Sequence, residues 1–277
     1  MRSWEFAKGH GTLNDFVLLR DRHGMMDLDA GTVRFLCDRR AGVGGDGLLR
    51  AIKAEHVPEW DGDPDVWFMD YRNADGSVAE MCGNGARVFA RYLWEGGLAS
   101  TPFEFGTRAG LRRAERVSGG LIRVSMGPAT VGAPATATVA GVTYAGTRVD
   151  VGNQHLVCEV DPAVLPTLDL TQPPTLGPAE DFPASANVEF FHRGPGEALT
   201  MRVHERGSGE TLSCGTGTVA VAAAAAAHDG AGSVTVHVPG GDLQVEVNDG
   251  EAFLTGGATI VATGTVQVPG KASYQLD

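Results

Sequence analysis

The segments YRNADGSVAEMCGNGARVFA (Tyr71–Ala90) and VHERGSGETLSCGTGTVAVA (Val203–Ala222) carry one pattern twice. In each segment, the tetrapeptide Cys-Gly-x-Gly opens a run of small and apolar residues, which predicts a helix that begins beside the cysteine. The two cysteines, Cys82 and Cys214, are separated by close to half of the 277-residue chain. We therefore predict a duplicated chain with two similar lobes, each presenting one thiol at the start of a helix.

The first of these helices is predicted over residues 84–95, and it stops at the glycine pair Gly96–Gly97. Arg87 and Arg91 lie four positions apart and therefore on one stripe of this helix. We expect that stripe to face an edge of the fold or a partner.

The second helix is predicted over residues 216–228 and has a different character. From Gly215 to Ala227 it carries no charge and consists mostly of alanine. A helix that is apolar on every face is a buried one. Because small side chains let neighbouring strands come close, we expect sheet to wrap around this helix.

Strand and turn patterns fill most of the remaining chain, and a natural break falls near Gly127–Pro128. We predict an N-terminal lobe over residues 1–127 that carries the first thiol and is joined by the final strand, about 265–277. The C-terminal lobe is predicted over residues 128–264 and carries the second thiol. The predicted fold class is mixed α/β, of the α+β type.

Composition and charge exclude several classes of protein. The formal net charge of −12 argues against a nucleic-acid partner, because phosphate binding requires a basic face. The N-terminus has no apolar run of signal-peptide length, and the longest apolar run, Val219 to Ala227, is too short to span a membrane. We therefore expect a soluble, cytoplasmic protein without a membrane partner.

The four cysteines have neither the spacing of a disulfide framework nor that of a zinc site. Cys37 lies in an apolar stretch and Cys158 in a strand-like run, so both are predicted to be small core residues. No metal site is predicted. Cys82 and Cys214 remain as the candidate reactive thiols.

Two thiols at helix starts suit acid/base chemistry at an amino-acid Cα. A helix N-terminus lowers the pKa of a thiol, and its free N–H groups bind a carboxylate and stabilise the enolate-like charge that develops on it. With one thiol on each face of Cα, one removes the proton and the other returns one, which inverts the centre. Neither pyridoxal phosphate nor a metal is required for this step.

Short motifs along nearly the whole chain carry a family resemblance. In order they are Lys8–Phe16, Asp38–Asp46, Asn73–Ser77, Met81–Gly85, Gly152–His155, Ala186–Val188, Glu205–Gly207, Ser213–Gly217 and Pro239–Gly241. With these motifs the chain resembles the diaminopimelate epimerases, cofactor-independent isomerases of bacterial lysine and peptidoglycan synthesis. The resemblance implies two pseudo-symmetric lobes, each a curled, mostly antiparallel sheet around a central helix, with the active site in the cleft between them. It also implies a homodimer.

The resemblance further implies the epimerisation of LL-2,6-diaminopimelate to the meso form and a role for each matching residue. Cys82 and Cys214 are the implied acid/base pair, and His155 and Glu205 tune the protonation of the thiols. Arg206 is implied to grip the distal carboxylate in a fork. The implied substrate-binding residues are Asn14, Asn73, Gly83, Asn84, Asn153, Asn187, Glu205, Arg206, Gly215 and Thr216.

The chain departs from the family pattern at three positions. Gly47 stands where the family often has a pocket glutamine, so a neighbouring group or a water must replace that contact. Gln154 replaces the proline of the usual Asn-Pro-His, and Ala262 replaces a C-terminal tyrosine associated with dimer contacts. These departures bear on the pocket and on dimer geometry rather than on the thiols.

Two other functions stay open on the sequence alone. A cofactor-free racemase acting on proline or hydroxyproline has the same thiol pair but needs no recognition of a distal charged group. A binding protein for a small dicarboxylate or amino acid predicts tight binding without solvent exchange at Cα. Arg206 and the asparagines favour a substrate with two charged ends.

Overall fold

Strands dominate both halves of the chain in the computed structural model, which describes residues 2–230, 232–248 and 251–270. Within these residues there are eighteen strands and three α-helices, so the predicted α+β class is confirmed. Two compact units are present. The first contains the residues up to Val124 together with those from Gly257 onward, and the second is Ser125–Gly256.

Ten elements belong to the first unit or begin in it. They are β1 (Arg2–Gly11), β2 (Asn14–Arg20), α1 (Ala30–Cys37), β3 (Gly47–Lys53), β4 (Trp67–Asn73), α2 (Gly83–Glu95), β5 (Phe103–Thr107), β6 (Gly110–Arg116), β7 (Ile122–Pro128) and β18 (Thr259–Val268). The strands are ordered β18-β1-β2-β3-β4-β5-β6-β7. Only β2–β3 and β4–β5 are parallel, and α1 and α2 provide the crossovers that parallel neighbours need.

The elements of the second unit follow in chain order. They are β8 (Thr130–Val139), β9 (Val142–Asp150), β10 (Gln154–Glu159), β11 (Thr175–Gly177), β12 (Asn187–Arg193), β13 (Leu199–Glu205), β14 (Gly209–Thr211), α3 (Gly215–Asp229), β15 (Ser233–Val238), β16 (Gly241–Asn248) and β17 (Glu251–Gly256).

The second unit repeats the strand arrangement of the first. Its order is β8-β9-β10-β12-β13-β15-β16-β17, with only β10–β12 and β13–β15 parallel. The orientations therefore follow the same sequence in both units, and the helix of the second parallel crossover is α2 in one unit and α3 in the other. The short strands β11 and β14 pair with β8 and β13. This repetition supports the duplication predicted from the two cysteine segments.

Each of these two helices packs against the strands of its own unit. Helix α2 contacts β1, β2, β3, β4, β6 and β18, and helix α3 contacts β8, β9, β10, β12, β13 and β15–β17. In α3 the residues Val219 to Ala223 are all buried, as expected for a helix without charge. None of the helices among the described residues is long and apolar enough to cross a membrane.

The final strand of the described chain, β18, pairs antiparallel with β1. It contains the first part of the segment 265–277 that was predicted to join the N-terminal lobe. Residues 271–277 lie outside the described residues.

The prediction for Arg87 was wrong, since this side chain is fully buried. Its guanidinium donates to four uncharged oxygens: Gly83 O at 3.2 Å, Asn84 Oδ1 at 2.9 Å, Thr12 Oγ1 at 3.2 Å and Gly257 O at 3.3 Å. Burial lowers the pKa of Arg87 to about 10. Arg91, by contrast, is partly exposed and pairs with Glu95 at 2.5 Å. The spacing of Arg87 and Arg91 on one side of the helix did not indicate that loops of the unit cover Arg87.

Cys37 and Cys158 are buried among apolar side chains, which confirms their predicted place in the core. Burial raises the pKa of each of these thiols to about 12. Both are therefore unreactive at neutral pH.

A buried charge cluster links β3 and β4 in the first unit. Asp70 is fully buried and contacts Arg50 at 2.7 Å, Arg108 at 2.8 Å and Arg72 at 3.3 Å. Burial alone raises the pKa of Asp70, but the three arginines outweigh it and hold the pKa below 3.8.

We expect Asp70→Asn to destabilise the protein by about 3–5 kcal/mol, because it leaves three guanidinium groups without their shared carboxylate. The stability from a carboxylate with a lowered pKa is present above its unfolded-state pKa and is lost as the pH falls through its folded-state pKa. The wild type should therefore lose more stability below about pH 4 than the variant does. Urea denaturation at several pH values checks this, with the exposed Asp61→Asn as the control. Equal stability of the wild type and Asp70→Asn at pH 7 would contradict it.

Candidate active site

Each of the two repeated cysteines is the N-cap of a helix. Cys82 precedes α2 with extended backbone angles (φ −146°, ψ 118°), and its Sγ accepts the Gly85 N–H at 3.3 Å. Cys214 precedes α3 with φ −121° and ψ 115°, and its Sγ accepts the Gly217 N–H at 3.4 Å. First-turn N–H groups have no partner within the helix, and the helix N-terminus carries partial positive charge. Both sulfurs therefore lie where negative charge is stabilised.

Two of the predicted substrate-binding residues lie beside Cys82. The Oδ1 of Asn14 lies 3.8 Å from the Cys82 Sγ and accepts a hydrogen bond from the Nδ2 of Asn84 at 3.3 Å. Asn14 also donates through its Nδ2 to Asp46 Oδ2 at 2.9 Å. Since Asn84 follows Gly83 in the first turn of α2, this polar group is held from both the helix and strand β2.

Asn73 ends strand β4 opposite Gly47 of strand β3. Its Oδ1 accepts the Tyr71 hydroxyl at 2.9 Å, and its Nδ2 donates to Ser77 Oγ at 3.0 Å. A Cβ on Gly47 would lie 2.8 Å from the ring of Tyr71 and 2.8 Å from the carbonyl oxygen of Arg72. Tyr71, which the sequence patterns did not single out, therefore occupies the space that a side chain at Gly47 would need.

We expect Gly47→Ala to destabilise the protein by about 1–3 kcal/mol, because the added methyl group must displace the Tyr71 ring or the strand beside it. The control is Gly31→Ala in helix α1, where a Cβ meets nothing closer than 3.5 Å and alanine favours the helix. Thermal unfolding of both variants checks this, and an unchanged midpoint for Gly47→Ala would contradict it.

Cys214 is buried, and its Sγ lies 3.5 Å from the hydroxyl of Thr216. Burial raises the pKa of Cys214 well above 9.0, and the carboxyl groups of Glu205 and Glu189 raise it further. The hydrogen bonds from Thr216 and from the Gly217 N–H act in the opposite direction but do not outweigh burial. The expectation that a helix start lowers the thiol pKa was therefore wrong for Cys214. This thiol holds its proton and suits the role of a proton donor.

Glu205 ends strand β13 and accepts a hydrogen bond from the hydroxyl of Thr211. Burial raises the pKa of Glu205, while hydrogen bonds from Thr211 and Cys214 lower it in part. The carboxyl group and the Cys214 thiol therefore influence each other's protonation.

His155 is fully buried and has a polar partner on each side of its ring. Its Nδ1 lies 2.8 Å from Glu189 Oε1, and its Nε2 lies 2.9 Å from Asn153 Oδ1. Glu189 is itself fully buried and was missed in the sequence. The available signal was an acidic residue on the apolar strand segment Asn187–Arg193, two positions after Asn187.

Asn187 and Arg206 are joined at one end of the second unit. Asn187 pairs with His155 in the parallel β10–β12 register, and its Oδ1 accepts the Arg206 N–H at 2.9 Å. The Arg206 side chain is exposed and donates from Nη1 to Ala184 O at 3.0 Å. No carboxylate of the described residues pairs with Arg206. Its charge therefore stays available for an external anion.

The structure thus brings the predicted residues together within each unit. The first unit holds Cys82, Gly83, Asn84 and Asn14 together at the starts of α2 and β2, and it holds Asn73 at the end of β4. The second unit holds Cys214, Asn153, His155, Asn187, Glu205, Arg206, Gly215 and Thr216 around the start of α3. Of the other departures from the family pattern, Gln154 is exposed at the start of β10, and Ala262 lies in β18 opposite Lys8.

The sequence profile of the diaminopimelate epimerase family matches residues 6–132 and 147–266 of this chain. The chain belongs to the diaminopimelate epimerase family. The resemblance read from the motifs is thereby confirmed, as is the assignment to the isomerases. The diaminopimelate epimerase of Thermobifida fusca is 53% identical over 270 residues, which cover 95% of this chain and 98% of that protein. The diaminopimelate epimerase of Corynebacterium glutamicum is 47% identical over 273 residues, with the same coverage.

A solved structure of low sequence identity shares the fold. The hydroxyproline epimerase of Agrobacterium vitis, determined with bound trans-4-hydroxy-L-proline, superposes with a TM-score of 0.69. The match covers 96% of this chain and 92% of that chain at 15% sequence identity. At this identity the likeness concerns the fold alone.

Proposed function

We propose that this enzyme epimerises LL-2,6-diaminopimelate to meso-diaminopimelate, with Cys82 and Cys214 as the acid/base pair and without a cofactor. The observation that carries the proposal is the repeated N-cap cysteine, one in each unit, in a chain of the diaminopimelate epimerase family. The two compact units are proposed to be the predicted lobes. The mechanism requires them to bring the two thiols to opposite faces of one Cα.

In the proposed first step, the thiolate of Cys82 removes the proton from Cα of the LL substrate. The electron pair moves into the carboxylate of the reacting amino-acid head. The raised pKa of Cys214 supports its role as the proton donor, since its thiol keeps a proton to deliver to the opposite face. After turnover, Cys82 carries the proton and Cys214 the negative charge, which sets the enzyme for the reverse reaction.

The reacting carboxylate is proposed to bind the first-turn N–H groups at the starts of the two helices. These groups have no partner within the helix, and they bind an anion that gains charge as the carbanion forms. The N–H donors belong to Gly83, Asn84, Gly215 and Thr216.

The distal amino-acid head is proposed to be held by Arg206 and by the amide and carboxyl side chains near it. Arg206 offers a planar fork for the distal carboxylate, and its exposure without a carboxylate partner among the described residues supports this role. The remaining proposed contacts are Asn14, Asn73, Asn153, Asn187 and Glu205. His155 and Glu205 are proposed to tune the protonation of the thiols.

The proposed biological setting is the supply of lysine and peptidoglycan precursors by a cytoplasmic homodimer. Family membership supports the setting. The dimer stays a prediction, and size-exclusion chromatography with light scattering tests it.

The experiment that tests the proposed function is an incubation of the reduced protein with LL-diaminopimelate in the absence of pyridoxal phosphate. Chiral chromatography should then show the meso isomer, while L-proline and trans-4-hydroxy-L-proline stay unchanged. Inversion of proline or hydroxyproline instead would assign a different substrate. Binding of diaminopimelate by calorimetry with no meso product would contradict the epimerase proposal and favour a binding protein.

A further inference from the structure

A continuous chain of hydrogen bonds in the second unit runs from Glu189 to the Cys214 thiol. Glu189 Oε1 lies 2.8 Å from His155 Nδ1, and His155 Nε2 lies 2.9 Å from Asn153 Oδ1. Asn153 Nδ2 donates to Thr216 Oγ1 at 3.4 Å, and Thr216 Oγ1 lies 3.5 Å from Cys214 Sγ. Of the five residues in this series of hydrogen bonds, four are no more than 8% exposed, and Asn153 is partly buried.

The hydrogen-bond partners determine which group donates and which accepts along this series. Asn153 donates with Nδ2 to Thr216, so its Oδ1 faces His155 and accepts from the Nε2. The carboxylate of Glu189 accepts from the Nδ1 on the other side of the ring. An ionised Glu189 and the Asn153 oxygen together leave both ring nitrogens of His155 as donors, which is the imidazolium form. Thr216, whose oxygen accepts from Asn153, has its own hydroxyl hydrogen free for the Cys214 sulfur.

The fold makes specific room for Glu189. A Cβ on Gly217, in the first turn of α3, would overlap Glu189 Oε1. The glycine therefore leaves the space that the Glu189 carboxyl group occupies. At the corresponding glycine of the other unit, Gly85, a Cβ would meet the apolar atoms of Leu49 at 3.2 Å and Phe16 at 3.5 Å. The same motif therefore faces an apolar pair in one unit and a buried ion pair in the other.

Glu189 Oε2 is buried and has no hydrogen-bond partner among the described residues. A buried carboxylate with one free oxygen is costly unless a cation lies against it. Glu205, Cys214 and Cys158 are titratable groups that the charge of Glu189 influences, and none of them is a cation. Beside these groups, His155 is the neighbour that can become a cation.

We propose that Glu189 is a positioning residue for Cys214, which holds His155 as an imidazolium and thereby directs the Thr216 hydroxyl onto the sulfur. This inference deepens the proposed function and rests on it for the role of Cys214. The Thr216 hydrogen bond stabilises the sulfur in its negatively charged form, which opposes the effect of burial. In the first unit the positions that match His155 and Glu189 are Phe16 and Leu49, whose side chains carry no polar group.

Nitrogen-15 NMR of the histidine side chains tests the proposal without substrate. In the wild type at pH 7, both ring nitrogens of His155 should be protonated. In Glu189→Gln the ring should lose one proton, and His204, whose Nδ1 bonds to Leu170 O, should be unchanged. The exposed Glu180→Gln is the matched control. One unprotonated ring nitrogen on His155 in the wild type would overturn the proposal, even if the variant does not fold.

Solvent exchange at Cα supplies the second readout. Glu189→Gln should slow the exchange of meso-diaminopimelate that remains in Cys82→Ala, which uses Cys214, by about 10–100-fold, the loss of one hydrogen bond to a charged group. It should leave the exchange of LL-diaminopimelate that remains in Cys214→Ala, which uses Cys82, within about twofold. Equal slowing in both backgrounds would show a general structural role and overturn the proposal. If neither background exchanges, the proposed function fails, while the NMR result still decides the state of His155.

Discussion

Cys82→Ala and Cys214→Ala should each lose the conversion of LL- to meso-diaminopimelate by at least about 10³-fold, because each removes one of the two groups that move a proton. Neither loss should be accompanied by unfolding, since alanine at an N-cap costs only about 1 kcal/mol. Chiral chromatography of the products, with circular dichroism of each variant, measures both effects.

The control for the thiol variants is Cys37→Ala. Cys37 is buried in the core with a pKa raised to about 12, so its loss should leave the rate of inversion nearly unchanged. Inversion at the wild-type rate by either Cys82→Ala or Cys214→Ala would remove the two-thiol mechanism. A loss of equal size in Cys37→Ala would show that the assay reports stability and not chemistry.

Arg206→Met should lower kcat/KM for diaminopimelate by about 10²-fold, the cost of losing a charge-assisted, forked contact to the distal carboxylate. The side chain is exposed and makes one hydrogen bond, to Ala184 O, so little stability should be lost. The backbone N–H of Arg206 still bonds to Asn187 in the variant. Steady-state kinetics should place most of the effect in KM, since the distal head does not react.

Arg193→Met is the matched control for this variant. Arg193 ends strand β12 in the same unit, and its charge is already paired with Glu159 at 3.1 Å. It should keep wild-type kinetics. Unchanged kcat/KM in Arg206→Met would contradict the distal role and would reopen the possibility of a substrate with one charged end.

The features that sequence patterns predicted well are local in the chain. The Cys-Gly-x-Gly motif placed both thiols at helix starts because a cap and its helix are neighbours in sequence. The observed helices, Gly83–Glu95 and Gly215–Asp229, begin one residue before the predicted 84–95 and 216–228. The uncharged run of α3 predicted a buried helix for the same reason, since the whole pattern lies within one segment.

The features that were missed depend on strand register and on contacts between residues far apart in the sequence. Arg87 is buried because Thr12 and Gly257, far away in sequence, close over it. Glu189 meets His155 because β10 and β12 are parallel neighbours, with His155 level with Asn187. Neither pairing has a periodic signal in the sequence. An acidic residue in an apolar strand was a hint for Glu189, but its partner was defined only by the sheet.

The pKa of Cys214 was misjudged for a related reason. A helix start lowers the pKa of an exposed thiol, but burial and two nearby carboxyl groups act against it here. The balance depends on how deeply the unit encloses the sulfur, which the motif does not determine.

The two-thiol mechanism is tested most directly by running the reaction of the reduced wild-type enzyme with LL-diaminopimelate in deuterated water and stopping it at low conversion. Mass spectrometry of the separated isomers then locates the deuterium. If one thiol removes the proton and the other supplies one from the opposite face, the meso product should carry one deuterium at the inverted Cα, while recovered LL substrate stays unlabelled. Deuterium entering recovered LL substrate as fast as the meso product would mean that one base serves both faces, which contradicts the mechanism.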